Sequence, residues 1–277
     1  MKTAAGARAT ERRRRIHAGK PIAPDPRAAY RWVYVWQWPI RAMHWIAGAA
    51  VVVLLVTGFY IGQPYFMTGG EPSDHFLMGR IRFVHFAAAG VLVATGIVRI
   101  YWLIAGNRYE QFKALFPVMP KDWVNLAKQI KYYALFRTED APHYLGHNPL
   151  QQLAYTSMYL VTMAAVVTGF ALYGLANPGG FFYTAFAWVG SLLGGAQQVR
   201  FVHHILTWFF LVFIPVHIYL GIRADVTESE GAISSIISGG RFVRVDLHYE
   251  DDYLSEYYPP AEAPQPESAE PRSPESE

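Results

Sequence analysis

Four stretches of this chain are each long and apolar enough to cross a bilayer, and that constrains everything else it can form. They cover about 40–61 (IRAMHWIAGAAVVVLLVTGFYI), 83–105 (FVHFAAAGVLVATGIVRIYWLIA), 150–175 (LQQLAYTSMYLVTMAAVVTGFALYGL) and 199–222 (VRFVHHILTWFFLVFIPVHIYLGI). A helix of ~20 apolar residues spans a hydrocarbon core of ~30 Å. Gly, Ala and Thr recur within the stretches, which suits helices packed closely in lipid. Trp32, Trp36, Trp38, Trp45, Tyr60, Tyr65, Tyr101 and Trp102 gather at stretch ends, as an interfacial belt does. Only 16% of the residues are charged, against about 25% in soluble domains. The expected fold is therefore an all-α membrane protein, a four-transmembrane-helix bundle. A fifth apolar stretch, Phe181–Leu193, is short and Gly-rich, and reads as a surface helix or a re-entrant cap.

Charge is divided between the ends. Residues 1–40 hold nine Lys and Arg, including Arg12 to Arg15, against Glu11 and Asp25; residues 248–277 hold nine acids against Arg272. Both ends read as solvated tails. The expected division is a basic tail over 1–38, a membrane domain over 39–225, and an acidic, partly disordered tail over 226–277. The basic run beside a span is a topology or anionic-lipid signal rather than a nucleic-acid arm. No apolar segment follows it for over twenty residues, so it does not read as a cleavable signal peptide. The loop 106–149 carries Arg108, Lys113, Lys121, Lys128, Lys131 and Arg137, and Arg223, Arg241 and Arg244 follow the fourth stretch. The other two loops hold only Arg80, Arg82 and Arg200. Both termini and the long loop are thus expected in the cytoplasm, in a multi-pass membrane protein. Within that loop, Asp122–Phe136 reads as an amphipathic helix lying on the bilayer.

No cysteine is present, which excludes disulfides, thiolate metal sites, iron–sulfur ligation and c-type haem attachment. The ten histidines are the chemistry to explain, and His44, His85, His203, His204 and His217 lie inside the apolar stretches. An ionisable group at membrane depth is costly and marks function by default. His203 and His217 are fourteen residues apart, close to one helix face and ~21 Å apart along the axis, whereas His204 is turned ~140° from His217. His44 and His217 lie toward the inner side; His85 and His203 lie toward the outer side. Four histidines therefore form two inter-helix pairs, His44/His217 and His85/His203, one per leaflet.

A pair of facing imidazoles suits a bis-histidine haem. Structural zinc wants four ligands in one place, and a proton relay wants carboxylates, of which the stretches have none. Gly58, fourteen residues past His44, and Gly96, eleven past His85, suit close approach of a flat macrocycle to backbone or, equally, helix packing. Arg99 suits a haem propionate or snorkelling to the surface. Pro215 is expected to kink the fourth helix. His17, His75, His143, His147 and His248 sit in tails and loops and read as bland. The segments VTGFYIG and VTGFALYG repeat between the first and third stretches, an echo read as similar helix ends using similar residues.

The chain resembles the b-type cytochrome subunit of membrane-bound uptake nickel–iron hydrogenases. The resemblance runs through VYVWQWPIRAMHWI (Val33–Ile46), VTGFYIGQP (Val56–Pro64), FLMGRIRFVHFAAAG (Phe76–Gly90), RIYWLIAGN (Arg99–Asn107), GHNPLQQLAY (Gly146–Tyr155), VTGFALYG (Val167–Gly174) and RFVHHILTWFF…VHIYLGIRAD (Arg200–Asp225). It implies a four-helix bundle with a diheme b core, holding two haem b groups through His44, His85, His203 and His217. It further implies an exported hydrogenase docked on the outer face, the iron–sulfur small subunit contacting this chain and the large subunit lying beyond it. Electrons would pass from that relay to the His85/His203 haem, then to the His44/His217 haem, then to quinone near the cytoplasmic side. The chain would thus be an electron-transfer and quinone-reducing subunit, not the catalyst of hydrogen oxidation. Arg41, His44, Arg99 and Trp102 are quinone-site candidates by depth, and His204 and the outer loops are candidates for docking. A cytochrome b subunit of a formate dehydrogenase-like enzyme and a histidine-lined metal transporter are the alternatives.

Overall fold

The computed structural model describes residues 29–67, 69–135, 142–228, 230–245 and 247–252. The Arg12–Arg15 run, His17, Arg137 and the acidic residues past 252 lie outside the described residues.

The elements in chain order are β1 (Tyr30–Tyr34), α1 (Trp38–Gly62), α2 (Pro72–His75), α3 (Leu77–Ala105), α4 (Phe112–Leu115), α5 (Pro120–Leu135), α6 (Pro149–Gly174), α7 (Phe181–Leu193), α8 (Ala196–Glu228), α9 (Ala232–Ser238) and β2 (Gly240–Arg244). The four expected spans are α1, α3, α6 and α8, all apolar and long enough to cross a membrane. Two boundaries differ from the apolar stretches. Helix α3 begins six residues earlier than Phe83, which places His85 two turns inside it. Helix α8 has 33 residues, about 50 Å at 1.5 Å per residue, so it outruns the hydrocarbon core and continues unbroken through Pro215.

Local chemistry sets the helix starts. Pro39 stands in the first turn of α1, where its missing N–H removes no intrahelical bond. Asn148 caps α6: its side chain accepts from the Gln151 N–H at 2.9 Å, and the Gln151 side chain accepts from the Asn148 N–H at 3.0 Å. This reciprocal pair satisfies two donors the helix cannot. At the other end of α6 a Cβ on Gly174 would lie 2.7 Å from the Tyr183 nitrogen, so only glycine lets α7 cross there.

Helix α1 packs against α3 and α8, and α6 packs against α7 and α8. The Phe86 ring of α3 meets Tyr173 of α6 edge-on at 4.9 Å, joining the remaining neighbours around the bundle. The spans bury little of themselves: none of the most apolar window of α3 is buried within the chain, and 17% of that of α1. A soluble bundle would bury a continuous apolar stripe. In lipid, apolar side chains have no such need, because hydrocarbon tails are as apolar as leucine.

The buried apolar cluster lies outside the spans, in a lobe at one end. Val33, Val35, Tyr109, Leu145, Val243 and Tyr249 form it. Strands β1 and β2 pair antiparallel, Tyr30 opposite Arg244 and Tyr34 opposite Gly240. Arg241 pairs with Glu230 at 2.8 Å with both side chains buried, and Tyr249 also donates to Glu230. The Asp251 carboxylate accepts from the Leu145 and Gly146 N–H groups at 2.7 and 2.8 Å. Residues 30–37, 226–228, 230–245 and 247–252, expected in the tails, therefore belong to folded structure. Many of their partners lie far off in the chain, Asp251 106 residues from Leu145 and Arg31 221 from Asp252, so no local pattern announces them. Among the described residues, the lobe brings Arg31, Arg108, Arg241 and Arg244 to one end of the bundle.

Helix α5 turns its polar face inward: Asp122, Asn125 and Gln129 are buried, while Trp123, Val124 and Ile130 are exposed. Asn125 donates to the Tyr144 hydroxyl at 2.8 Å and Gln129 to the Pro142 carbonyl at 3.1 Å. An apolar outer face with Lys121, Lys128 and Lys131 beside it is the arrangement of a helix resting on a bilayer.

Burial, with Arg241 and Arg244 nearby, lowers the His143 imidazole to about 4. The unfolded chain binds that proton near pH 6.5. Stability from this group is complete above pH 6.5 and is lost as pH falls toward 4. In thermal or denaturant unfolding of the lobe, His143→Phe should lose about 1–2 kcal/mol less than the wild type between pH 7 and pH 5. Equal losses would show that His143 stays exposed.

Candidate cofactor site

The four histidines chosen by spacing lie on three helices of the bundle, His44 exposed and the other three half-buried. His44 of α1 and His217 of α8 face each other with ring centroids 6.1 Å apart and planes at 48°. A metal–imidazole bond is ~2.0–2.1 Å and the ring nitrogen lies ~1.1 Å from the ring centre, so two rings flanking one metal ion have centroids ~6 Å apart. The observed separation fits. Phe213 stacks on His217 at 5.4 Å and 9°, and Trp45 meets His44 edge-on at 5.3 Å. These contacts fix both rings within an apolar wall.

About four helical turns from His217 along α8 lies His203, and His85 of α3 sits across from the Thr57–Gly58 segment of α1. Each ring rests on a neighbouring helix. The His85 Nδ1 lies 2.8 Å from Thr57 Oγ1 of α1, and the His203 Nδ1 lies 2.9 Å from Thr168 Oγ1 of α6. The residue after each threonine is glycine. A Cβ on Gly58 would stand 3.4 Å from His85 Cε1, and one on Gly169 would stand 3.2 Å from His203 Cε1. The VTGF echo, first read as a shared helix-end habit, is thus a repeated seat for a histidine ring.

The other candidates divide. Gly58 lies beside His85, but a Cβ on Gly96 would meet nothing within 4 Å. His204 turns away from the pair toward α1, edge-on to Phe59 at 5.6 Å and against Gly62, as its angular offset requires. Arg99 does not snorkel. It is buried, its Nη2 donates to the Glu110 carbonyl at 3.0 Å, and its Nη1 has no hydrogen-bond partner. Of the quinone candidates, Trp102 donates to Glu110 at 2.7 Å, and Arg41 donates to the Ile237 carbonyl.

His147, read as bland, is half-buried among aromatic rings. Its ring lies 4.8 Å from Trp36 and 5.0 Å from Tyr155, whose ring in turn reaches His217 at 6.1 Å. Its Nδ1 is buried without a hydrogen bond, and burial pushes its imidazole down to about 3. Thr57, Thr168, Gly169 and His147 are the residues that sequence reasoning missed. The repeated VTGF pointed to the first three, and the GHNP turn before the α6 cap to the last.

Among the described residues, no three or more of His, Cys, Asp and Glu converge as a metal cluster. Protein ligands arranged in pairs suit a metal whose other positions are filled by a macrocycle, and the buried donors left on Arg99 and His147 suit its carboxylates. The residues therefore fit haem.

Comparison with known proteins agrees. The family described as prokaryotic cytochrome b561 matches residues 35–239. A probable Ni/Fe-hydrogenase B-type cytochrome subunit of Cupriavidus necator is 40% identical over 211 residues, covering 75% of this chain and 86% of that protein. Its counterpart in Azotobacter vinelandii is 40% identical over 218 residues, covering 77% and 90%. A probable Ni/Fe-hydrogenase 1 B-type cytochrome subunit of Escherichia coli K12 is 33% identical over 215 residues, covering 75% and 90%.

The glycines separate in a simple experiment. Gly169→Ala should displace the His203 ring by a few tenths of an ångström and alter the visible spectrum of the purified protein, whereas Gly96→Ala should leave spectrum and haem content unchanged. The reverse order would contradict this placement of the two helices.

Proposed function

The chain belongs to the prokaryotic cytochrome b561 family, and from that premise we propose that it is the membrane electron-transfer subunit of an exported nickel–iron hydrogenase. It holds two haem b groups, one between His44 and His217 and one between His85 and His203. It anchors the hydrogenase through the iron–sulfur small subunit, with the large subunit beyond, and delivers electrons to quinone. It does not oxidise hydrogen itself. Its place is the bacterial inner membrane, with both termini in the cytoplasm. The multi-pass architecture is given by the four spans, and the Lys/Arg-rich lobe at one end supports that orientation.

The observation that carries the proposal is the opposition of His44 and His217 at a separation suited to one shared iron. Bound haem supplies a reversible one-electron couple at iron. The chain does the rest. Its imidazoles would offer one nitrogen each to iron. Electrons enter at the end near His85 and His203 and leave at the end near His44 and His217. Arg99 Nη1, buried and unpaired, is the donor for a haem carboxylate, and quinone reduction belongs to the same end. The metal-transporter alternative requires converging ligands, and the described residues offer pairs only. The formate dehydrogenase-like alternative shares the helical plan, and the named relatives are hydrogenase subunits.

Purification of the intact complex from membranes tests the proposal. A nickel-containing subunit should co-purify, and reduction should give the sharp absorption bands of low-spin haem b. His217→Ala should remove about half of the haem while the protein stays in the membrane. Full haem in that variant would overturn the ligand assignment, and a molybdenum or tungsten partner in place of nickel would move the chain to the formate dehydrogenase-like class.

A further inference from the structure

We propose that Thr57 and Thr168 are positioning residues that fix the tautomer of His85 and His203 and hold the haem between them at a lower potential than the one between His44 and His217. This rests on the reading that His85 and His203 share one iron, and it goes beyond that reading by giving the two levels different electronic character.

A threonine hydroxyl has one hydrogen to donate. Thr57 Oγ1 lies 2.7 Å from the Val53 carbonyl, and Thr168 Oγ1 lies 2.7 Å from the Ala164 carbonyl. A carbonyl only accepts, so each hydroxyl spends its hydrogen on the turn below it. The short contacts to His85 Nδ1 and His203 Nδ1 must then run the other way, with the ring N–H donating to Oγ1. Both rings are therefore Nδ1–H tautomers, and the Nε2 lone pair of each is left for iron.

The seat is built twice from the same four residues. Val56-Thr57-Gly58-Phe59 of α1 serves His85 of α3, and Val167-Thr168-Gly169-Phe170 of α6 serves His203 of α8. Threonine supplies the acceptor, and glycine leaves room for Cε1 at 3.4 and 3.2 Å. The other level lacks this device. Among the described residues, His44 and His217 have ring contacts to Trp45, Phe213 and Tyr155 and no ring hydrogen bond.

The consequence is electronic. An acceptor on Nδ1–H makes an imidazole a stronger donor at its other nitrogen. Stronger donation favours the more positive ferric iron, so the potential falls. A hydroxyl already donating to a carbonyl is a better acceptor, and the apolar surroundings strengthen the pair. Two such ligands act on one haem and none on the other, so electrons run downhill from the His85/His203 level toward the His44/His217 level.

The test is a potentiometric titration of the haem bands in the purified complex, comparing wild type with Thr57→Val, Thr168→Val and the serine variants at both positions. Each valine variant should raise the same one of the two midpoint potentials and leave the other in place, and each serine variant should restore it. Unchanged midpoints at full haem content, equal shifts of both, or serine behaving as valine would each overturn the proposal. His85→Ala separates the two readings: if it keeps full haem, the underlying ligand assignment fails; if it loses haem while the valine variants keep wild-type potentials, this proposal alone fails. Should the valine variants not retain haem, the wild type carries the test. Redox-difference infrared spectra with 15N-labelled histidine should show two ligand rings with a strongly hydrogen-bonded Nδ1–H and two without, and four equivalent rings would overturn it.

Discussion

An imidazole at membrane depth has two nitrogens that hydrocarbon cannot satisfy, and the bundle is organised around supplying partners for them. An unpaired polar group in a low-dielectric interior is costly. In this chain His44 stands against His217, while His85 and His203 are each seated on a threonine of a neighbouring helix. The long α8 contributes one ring to each level because fourteen residues bring a helix back to nearly the same face. The remaining helices then take their places around it. A bundle that buries so little of its own apolar surface draws its cohesion from lipid and from what its histidines hold together.

The lobe at one end follows different rules. It has water around it, so it needs a core of its own, and Val33, Val35, Leu145 and Val243 provide one. Its buried Glu230–Arg241 pair with Tyr249 clamps the end of α8 to the strand pair. Breaking such a pair leaves an uncompensated charge, which makes it a specific fastener rather than a large source of stability. Arg99 and Glu110, both buried, link this lobe to the adjoining end of the bundle through the bond from Arg99 to the Glu110 carbonyl.

Much of this was legible in sequence because membranes reduce structure to length and angle. Apolar length located α1, α3, α6 and α8, and 100° per residue separated His203 from His204 and matched His44 with His217. What escaped was long-range. The β1–β2 pairing joins residues 30–34 to 240–244, and two short strands at opposite ends of a chain carry no shared pattern. His147 looked like an ordinary loop residue because enclosure by Trp36 and Tyr155 depends on a turn folding back over α6. Thr57 and Thr168 were visible as an echo, but their role needed the neighbouring helix to supply the ring. Gly96, chosen by angle alone, faces open space, which shows the limit of angular arithmetic without knowledge of which neighbour occupies that face.

The central claim is that each histidine pair shares one iron, and the most direct measurement is the haem b and iron content of the purified protein per chain, joined to electron paramagnetic resonance of its oxidised form. The account predicts two haems per chain and two distinct low-spin ferric signals, both of bis-imidazole type. One haem per chain, or a high-spin signal showing an iron with a single histidine ligand, would contradict it.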